Sequence, residues 1–225
     1  MHIYTHPEFI HHEVAEGHPE RPERLTYLMA HLAREGLLDD CVLREAMDLS
    51  DAQILAAHST EHLEFLQRSE PTDGIIPLEP DTWMGKRSLN AARLAASSVC
   101  SGVDDVLAGT EKRVFCAVRP PGHHAETNSA MGFCLLNSIA IAALHALNQA
   151  DVARVAIVDF DVHHGNGSVD ICKEHPEIMV CSSFQHPYYP NRLDDIEQPN
   201  IVNTPLAAGS NGDDFRRAIS TQWLP

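Results

Sequence analysis

The sequence predicts an α/β fold, a three-layer α/β/α arrangement around a mainly parallel sheet. Three observations point to it. The runs RVFCAV (113–118), RVAIVDFDV (154–162) and EIMVCSSF (177–184) are apolar throughout rather than alternating, the pattern of strands covered on both faces. Helix-patterned segments separate them, so helix and strand alternate. Hydrophobic residues make up 44% of the 225, enough to bury a sizeable core, and residues 1–225 are expected to form a single domain.

Taken in chain order, residues 18–38 (HPERPERLTYLMAHLAREGLL) read as a helix. Its prolines fall near the start, Leu25, Leu28, Met29 and Leu32 form an apolar stripe, and Gly36 closes it. Residues 50–58 open with Ser50 and Gln53 in capping-box spacing. Residues 87–109 form a long helical pattern ending at Gly109. Residues 132–150 (GFCLLNSIAIAALHALNQA) are apolar nearly all round, which predicts a deeply buried helix. The last helical pattern is GDDFRRAISTQWLP, from Gly212 to Pro225.

Lys and Arg total 16 against 32 Asp and Glu, a formal net charge of −16. That argues against direct binding of nucleic acid or an anionic membrane, and it suits a cationic substrate or simply a solvated acidic surface. The apolar runs are too short or too interrupted to span a bilayer. Six cysteines occur with no Cys-x-x-Cys pair, so a zinc-finger reading has no support. The N-terminus has no basic stretch leading into an apolar one, so no signal peptide is read there and a cytoplasmic protein is expected.

Each of the three strand-like runs flows into a polar loop: RPPGHHAE, HHGNG and QHPYYP. In open parallel sheets ligands bind beyond the strand C-termini, so three such loops are expected to face one crevice. In VDFDVHHGNG, Asp159, Asp161 and His163 alternate and so share one face of an extended chain. Two acids and an imidazole make a poor core but a good site for zinc or another divalent transition metal. In RPPGHHAE, Pro120 and Pro121 stiffen the loop, and adjacent His123 and His124 make sense as an acid–base couple, each oriented by its own acceptor. Asp159 and Asn166 are the candidate orienters. A carboxylate raises imidazole basicity far more than an amide does, so the two histidines are expected to take different roles.

RPPGHHAE…MGFCLLNSIAIAA together with VDFDVHHGNG resembles the histone deacetylase superfamily, in its bacterial, class-II-like branch. HPERPERL and DTWMGKRSLNAARLAA fit the same family, and the resemblance covers essentially the whole chain. It implies an arginase-like α/β fold and zinc-dependent hydrolysis of acyl amides of lysine side chains or polyamines. Carried over, Asp161 and His163 match zinc ligands. His123 matches the histidine paired with a buried Asp, here Asp159, and His124 the general base, with Asn166 behind it. Gly132 and Phe133 match the acyl-lysine channel, Tyr189 its opposite wall, and Asp81 a carboxylate at the rim. The backbone around Asp159, Asp161, His163, Ser182 and Ser183 matches a structural K+ site.

The resemblance also implies two parts that this sequence does not carry, a third zinc-ligand Asp and a transition-state Tyr in a Gly-rich loop. A chain lacking the family's C-terminal strands is therefore expected, with five strands in two part-sheets whose inner edges are unpaired. Two further readings stand beside zinc amide hydrolysis: a non-catalytic acyl-lysine-binding remnant, and an arginase-like ureohydrolase, whose Asp-x-His-x-Asp pattern DFDVHHGNG does not match. A homo-oligomer is left open.

Overall fold

The computed structural model describes residues 1–46 and 48–224. Its centre is two parallel part-sheets. In the first, β1 (His2–Tyr4) lies between β2 (Val42–Arg44) and β5 (Val114–Cys116). In the second, β7 (Ile178–Gln185) lies between β6 (Val155–Asp159) and β8 (Ile201–Leu206). Between β2 and β5 in sequence, β3 (Ile75–Glu79) and β4 (Thr82–Gly85) form an antiparallel hairpin. The α/β class and the split sheet match expectation. Among the described residues the parallel strands number six rather than five, with the short N-terminal strand β1 pairing with both β2 and β5.

The helices are α1 (Glu23–Arg34), α2 (Asp51–Leu55), α3 (Thr60–Ser69), α4 (Ser88–Leu107), α5 (Ser138–Leu147), α6 (Asn166–Cys172) and α7 (Gly212–Gln222). The capping box at Ser50 and Gln53 forms as its spacing predicts. Two stripes of α4 serve two cores. Ala92, Ala96 and Cys100 join the main cluster with Ile54, Leu66, Met84 and Ile141. Ala91 and Ala95 join a smaller one with Ile3, Phe9 and Leu25. Small side chains along α4 let α5, β1 and β5 pack close to it.

Several predicted elements are shorter than read, the first helix for one spanning Glu23–Arg34 rather than 18–38, and two of them bear on the cleft. Helix α5 begins at Ser138, not Gly132, because Gly132 and Phe133 have φ of +55° and +70°, a region a helix cannot use. The helix starts where the Asn137 side chain caps the amide of Ala140. Likewise the strand expected over 154–162 ends at Asp159. Oδ1 of Asp159 accepts the amide of Asp161 (3.1 Å), and Oδ1 of Asp161 accepts that of His163 (2.8 Å). These successive turns replace the sheet ladder, so Asp161 and His163 sit on a turn at the sheet's C-terminal edge rather than on a strand.

Among the described residues β5 and β6 each pair on one side. Apolar side chains stand exposed along these inner edges, with Phe115 at 40%, Val158 at 55% and Phe160 at 75%. The edges border the cleft in which the chemistry-bearing loops meet.

Candidate active site

The loop after β5 is anchored from below. Arg119 is buried, its guanidinium held in two-pronged contact by Glu20 (2.5 and 2.7 Å) and by the carbonyls of Phe9 (2.6 Å) and His12 (3.2 Å). A buried pair with this many partners fixes the loop, and removal of either member leaves an uncompensated charge. Neither Arg119 nor Glu20 stood out in the sequence as a site residue, although both lie within the quoted motifs.

His123 and His124 follow, with ring centroids 4.0 Å apart and unlike partners. Nδ1 of His123 lies 2.8 Å from Oδ2 of Asp159. Burial disfavours its imidazolium, but the hydrogen bond and charge of Asp159, with the charge of Asp161, outweigh burial and raise the pKa. Burial likewise works against the Asp159 carboxylate, and His123 and the Asp161 amide bring its pKa down. His124 is the opposite case. Burial, then the neighbouring His123, push its pKa down to about 3, against a weaker opposing effect from Asn166. Nδ1 of His124 lies 2.6 Å from Oδ1 of Asn166, whose Nδ2 donates to the Glu126 carboxylate (2.7 Å). A carboxylate accepts only, so Nδ1 of His124 carries the proton and Nε2 is left as an acceptor.

Asp161 and His163 stand at the cleft, with Oδ1 and Nδ1 2.9 Å apart. The ring of His163 stacks on Tyr188 (5.2 Å, 12°), and Tyr189 meets the rings of both His124 and His163 nearly edge-on. Facing them, Asp81 accepts the amide of Gly132 (3.2 Å) and Thr82 Oγ1 accepts that of Phe133 (3.0 Å). The β3–β4 turn therefore holds Phe133 in its left-handed conformation. Burial, followed by the charge and hydrogen bond of Asp81, raises the Tyr189 pKa. Behind β6, Ser182 is in register with Asp159, and Ser183 Oγ donates to the Asp159 carbonyl (3.4 Å).

A cavity of about 610 Å3 joins these parts. His123, His124, Asp161, His163, Gly132, Phe133, Asp81 and Tyr189 all line it, with Asp159 and Asn166 directly behind. Leu25, Leu28 and Phe115 add apolar wall. Every residue singled out in the sequence for this cleft is thus brought to one place, while Ser182 and Ser183 lie beneath it. Glu126, Tyr188 and Arg192 were not anticipated, although Glu126 closes the RPPGHHAE motif.

Residues 18–225 match the histone deacetylase domain family. An uncharacterised protein from Synechocystis sp. is 40% identical over 99% of this chain and 74% of its own length. A histone deacetylase-like amidohydrolase from Pseudomonas aeruginosa is 35% identical over 94% of this chain and 57% of its own. The crystal structure of the HDA15 HD domain superposes with a TM-score of 0.92 at 33% identity, covering 100% of this chain and 69% of that one.

Proposed function

This chain belongs to the histone deacetylase family, and from that premise we propose that its cavity serves a zinc-dependent hydrolase. The substrates are acyl amides, acetyl foremost, of lysine side chains or polyamines, and residues 1–225 act as one deacetylase-like domain. The carrying observation is the pair of adjacent histidines with unlike partners, His123 on Asp159 and His124 on Asn166. The amidohydrolase name of the Pseudomonas relative supports the reaction class.

The donor chemistry of the cleft fits zinc. A carboxylate and an imidazole nitrogen, Asp161 and His163, stand side by side in its lining. They stand as a pair, since no group of three His, Cys, Asp or Glu side chains among the described residues is placed to hold a metal. Zinc supplies Lewis acidity, polarising a carbonyl and acidifying water. A structural K+ would be held by oxygens of the backbone around Asp159, Asp161, His163, Ser182 and Ser183, both serines being buried. An all-oxygen set of this kind suits a hard cation.

The remaining steps belong to the chain's own residues. Nε2 of His124 accepts the proton of the attacking water and returns it to the leaving amine. His123, kept basic by Asp159, offers its Nε2–H to the oxyanion that develops. Phe133 and Tyr189 flank the acyl-bearing alkyl chain, and Asp81 at the rim meets the polar part of the substrate. The pairing of just two metal donors favours one second reading, acyl-amine binding without turnover. No helix among the described residues is long and apolar enough to cross a membrane, and we read the setting as cytoplasmic.

The test is hydrolysis of a fluorogenic acetyl-lysine substrate and of an N-acetylated polyamine by the zinc-loaded protein. His124→Ala serves as the control for contaminating enzyme. Turnover that disappears in the variant is expected. Equal rates in both proteins would sink the catalytic reading, and binding of substrate without turnover would select the second one.

A further inference from the structure

Glu126 carries a carboxylate that the reaction above leaves unused. It is 6% exposed, and its position is fixed at both ends. Its amide donates to the Ser129 carbonyl (2.9 Å) and its carbonyl accepts from Nδ1 of the buried His58 (2.9 Å). One carboxylate oxygen accepts from Asn166 Nδ2 (2.7 Å). The other accepts from Arg192 (2.8 Å) and Ser129 Oγ (3.3 Å). Arg192 itself is half exposed and belongs to the same loop as Tyr188 and Tyr189, whose rings contact His163 and His124.

We propose that Glu126 is a positioning residue. Its carboxylate fixes the Asn166 amide, thereby holding the His124 proton on Nδ1, and through Arg192 it ties the tyrosine-bearing loop to the same group. The proposal rests on the deacetylase reading only for its catalytic meaning. An amide side chain can turn half a revolution and exchange its oxygen for its nitrogen at little steric cost. A partner that only accepts forbids that turn: Nδ2 of Asn166 must face Glu126, so Oδ1 must face His124. Nδ2 also meets the His124 carbonyl (3.4 Å) and Met131 Sδ (3.3 Å), but both contacts are longer than the one to Glu126 (2.7 Å). With an apolar neighbour in place of Glu126 only these weaker acceptors hold the amide, and it can turn and donate to Nδ1 of His124. The imidazole proton would then sit on Nε2, and the ring could no longer accept a proton from the cavity side. The base is set by a residue that never touches the substrate.

The experiment reads the ring nitrogens of His124 by 15N-resolved NMR in the metal-free, 225-residue chain, without substrate. The wild type is expected to show the Nδ1–H form. Glu126→Leu is expected to bring in the Nε2–H form, and an unchanged tautomer would overturn the proposal. A second arm stands even if that variant does not fold. Asn166→Asp alone sets two carboxylates face to face in a buried site, and its melting temperature should fall by roughly 5–15 °C. Adding Glu126→Gln supplies a donor to the new carboxylate and should recover most of that loss. A double variant no more stable than Asn166→Asp would show that the two side chains are not coupled. In a third arm, Arg192→Leu should raise amide hydrogen exchange in residues 186–193 while the His124 tautomer persists. Unchanged exchange would remove the loop-tying part. A tautomer switch in a chain without turnover would retire the deacetylase reading and keep the positioning role. Turnover in the wild type with an unresponsive tautomer would retire this proposal alone.

Discussion

Nδ1 of His123 lies 2.8 Å from Oδ2 of Asp159, while His124, the next residue, has an amide oxygen in the same place. Two chemically identical rings in contact are thereby driven in opposite directions, one towards holding a proton and one towards lacking it. Burial works against protonation of both rings. The Asp159 carboxylate outweighs it at His123, whereas at His124 the Asn166 amide does not offset burial and the neighbouring His123.

Replacing Asp159 should therefore act on His123 first. The His123 contribution to stability is whole below its ordinary pKa of 6.5 and fades as pH rises through its raised folded value. The Asp159 contribution is whole above its ordinary pKa of 3.8 and fades as pH falls through its lowered folded value. Asp159→Asn should flatten both limbs of a plot of melting temperature against pH, and should lower kcat by about two decades or more. Limbs that match the wild type would contradict the pairing.

Acid should unfold the protein through neutral histidines. His12 and His124 are held down to about 3 and His58 to about 4, in each case with burial the largest cause. The unfolded chain protonates these rings below about pH 6.5 while the folded chain does not, so stability is present above that pH and is lost as pH falls towards 4. Three such groups set a slope of at most about 4 kcal/mol per pH unit. Urea midpoints between pH 6.5 and 4 check this, and an uptake of less than one proton on unfolding would refute it.

The proposed metal donors are testable without turnover. Asp161→Ala and His163→Ala should each lower zinc affinity by more than the roughly ten- to hundredfold that loss of an outer partner costs. His124→Ala should leave zinc affinity nearly unchanged. Calorimetric titration with zinc separates these cases. A large loss of zinc in His124→Ala would make His124 a ligand and remove it as the base.

Gly132 is where backbone and base meet. It has φ of +55°, and a Cβ there would collide with the ring of His124. Gly74 has a similar φ of +68° but opens onto free space. Gly74→Ala should cost about 1 kcal/mol from backbone strain alone. Gly132→Ala should cost about 2 kcal/mol or more and should displace the His124 ring. Equal melting temperatures for the two variants would mean that His124 yields freely.

Part of this site was legible in the chain. Adjacent histidines in RPPGHHAE, with Asp159, Asp161, His163 and Asn166 in VDFDVHHGNG, pointed to the chemistry of the cleft, while Gly132, Phe133, Asp81, Tyr189 and the pairing of each histidine with its partner came from the family resemblance. The unanticipated residues were hidden for a physical reason. Glu126 and Arg192 are 66 positions apart, and an ordinary-looking Glu and Arg acquire a role only when burial removes water as their alternative partner. The helix expected to begin at Gly132 failed because apolarity tracks burial, not helicity. Residues 134–136 are buried, but they follow two left-handed residues whose conformation is held by Asp81 and Thr82 from another element.

The sequence by itself determined what is local and periodic. Runs of apolar residues located β5, β6 and β7 and the helices α1, α4 and α5, the Ser50–Gln53 box fixed a helix start, and the spacing of acids and imidazoles indicated which chemistry the loops could carry. Tertiary structure decided which ring takes up a second proton. That depends on whether the atom within 3 Å of each Nδ1 is a carboxylate or an amide oxygen, and on whether water reaches it. Both are consequences of β5 and β6 delivering their loops to one cleft.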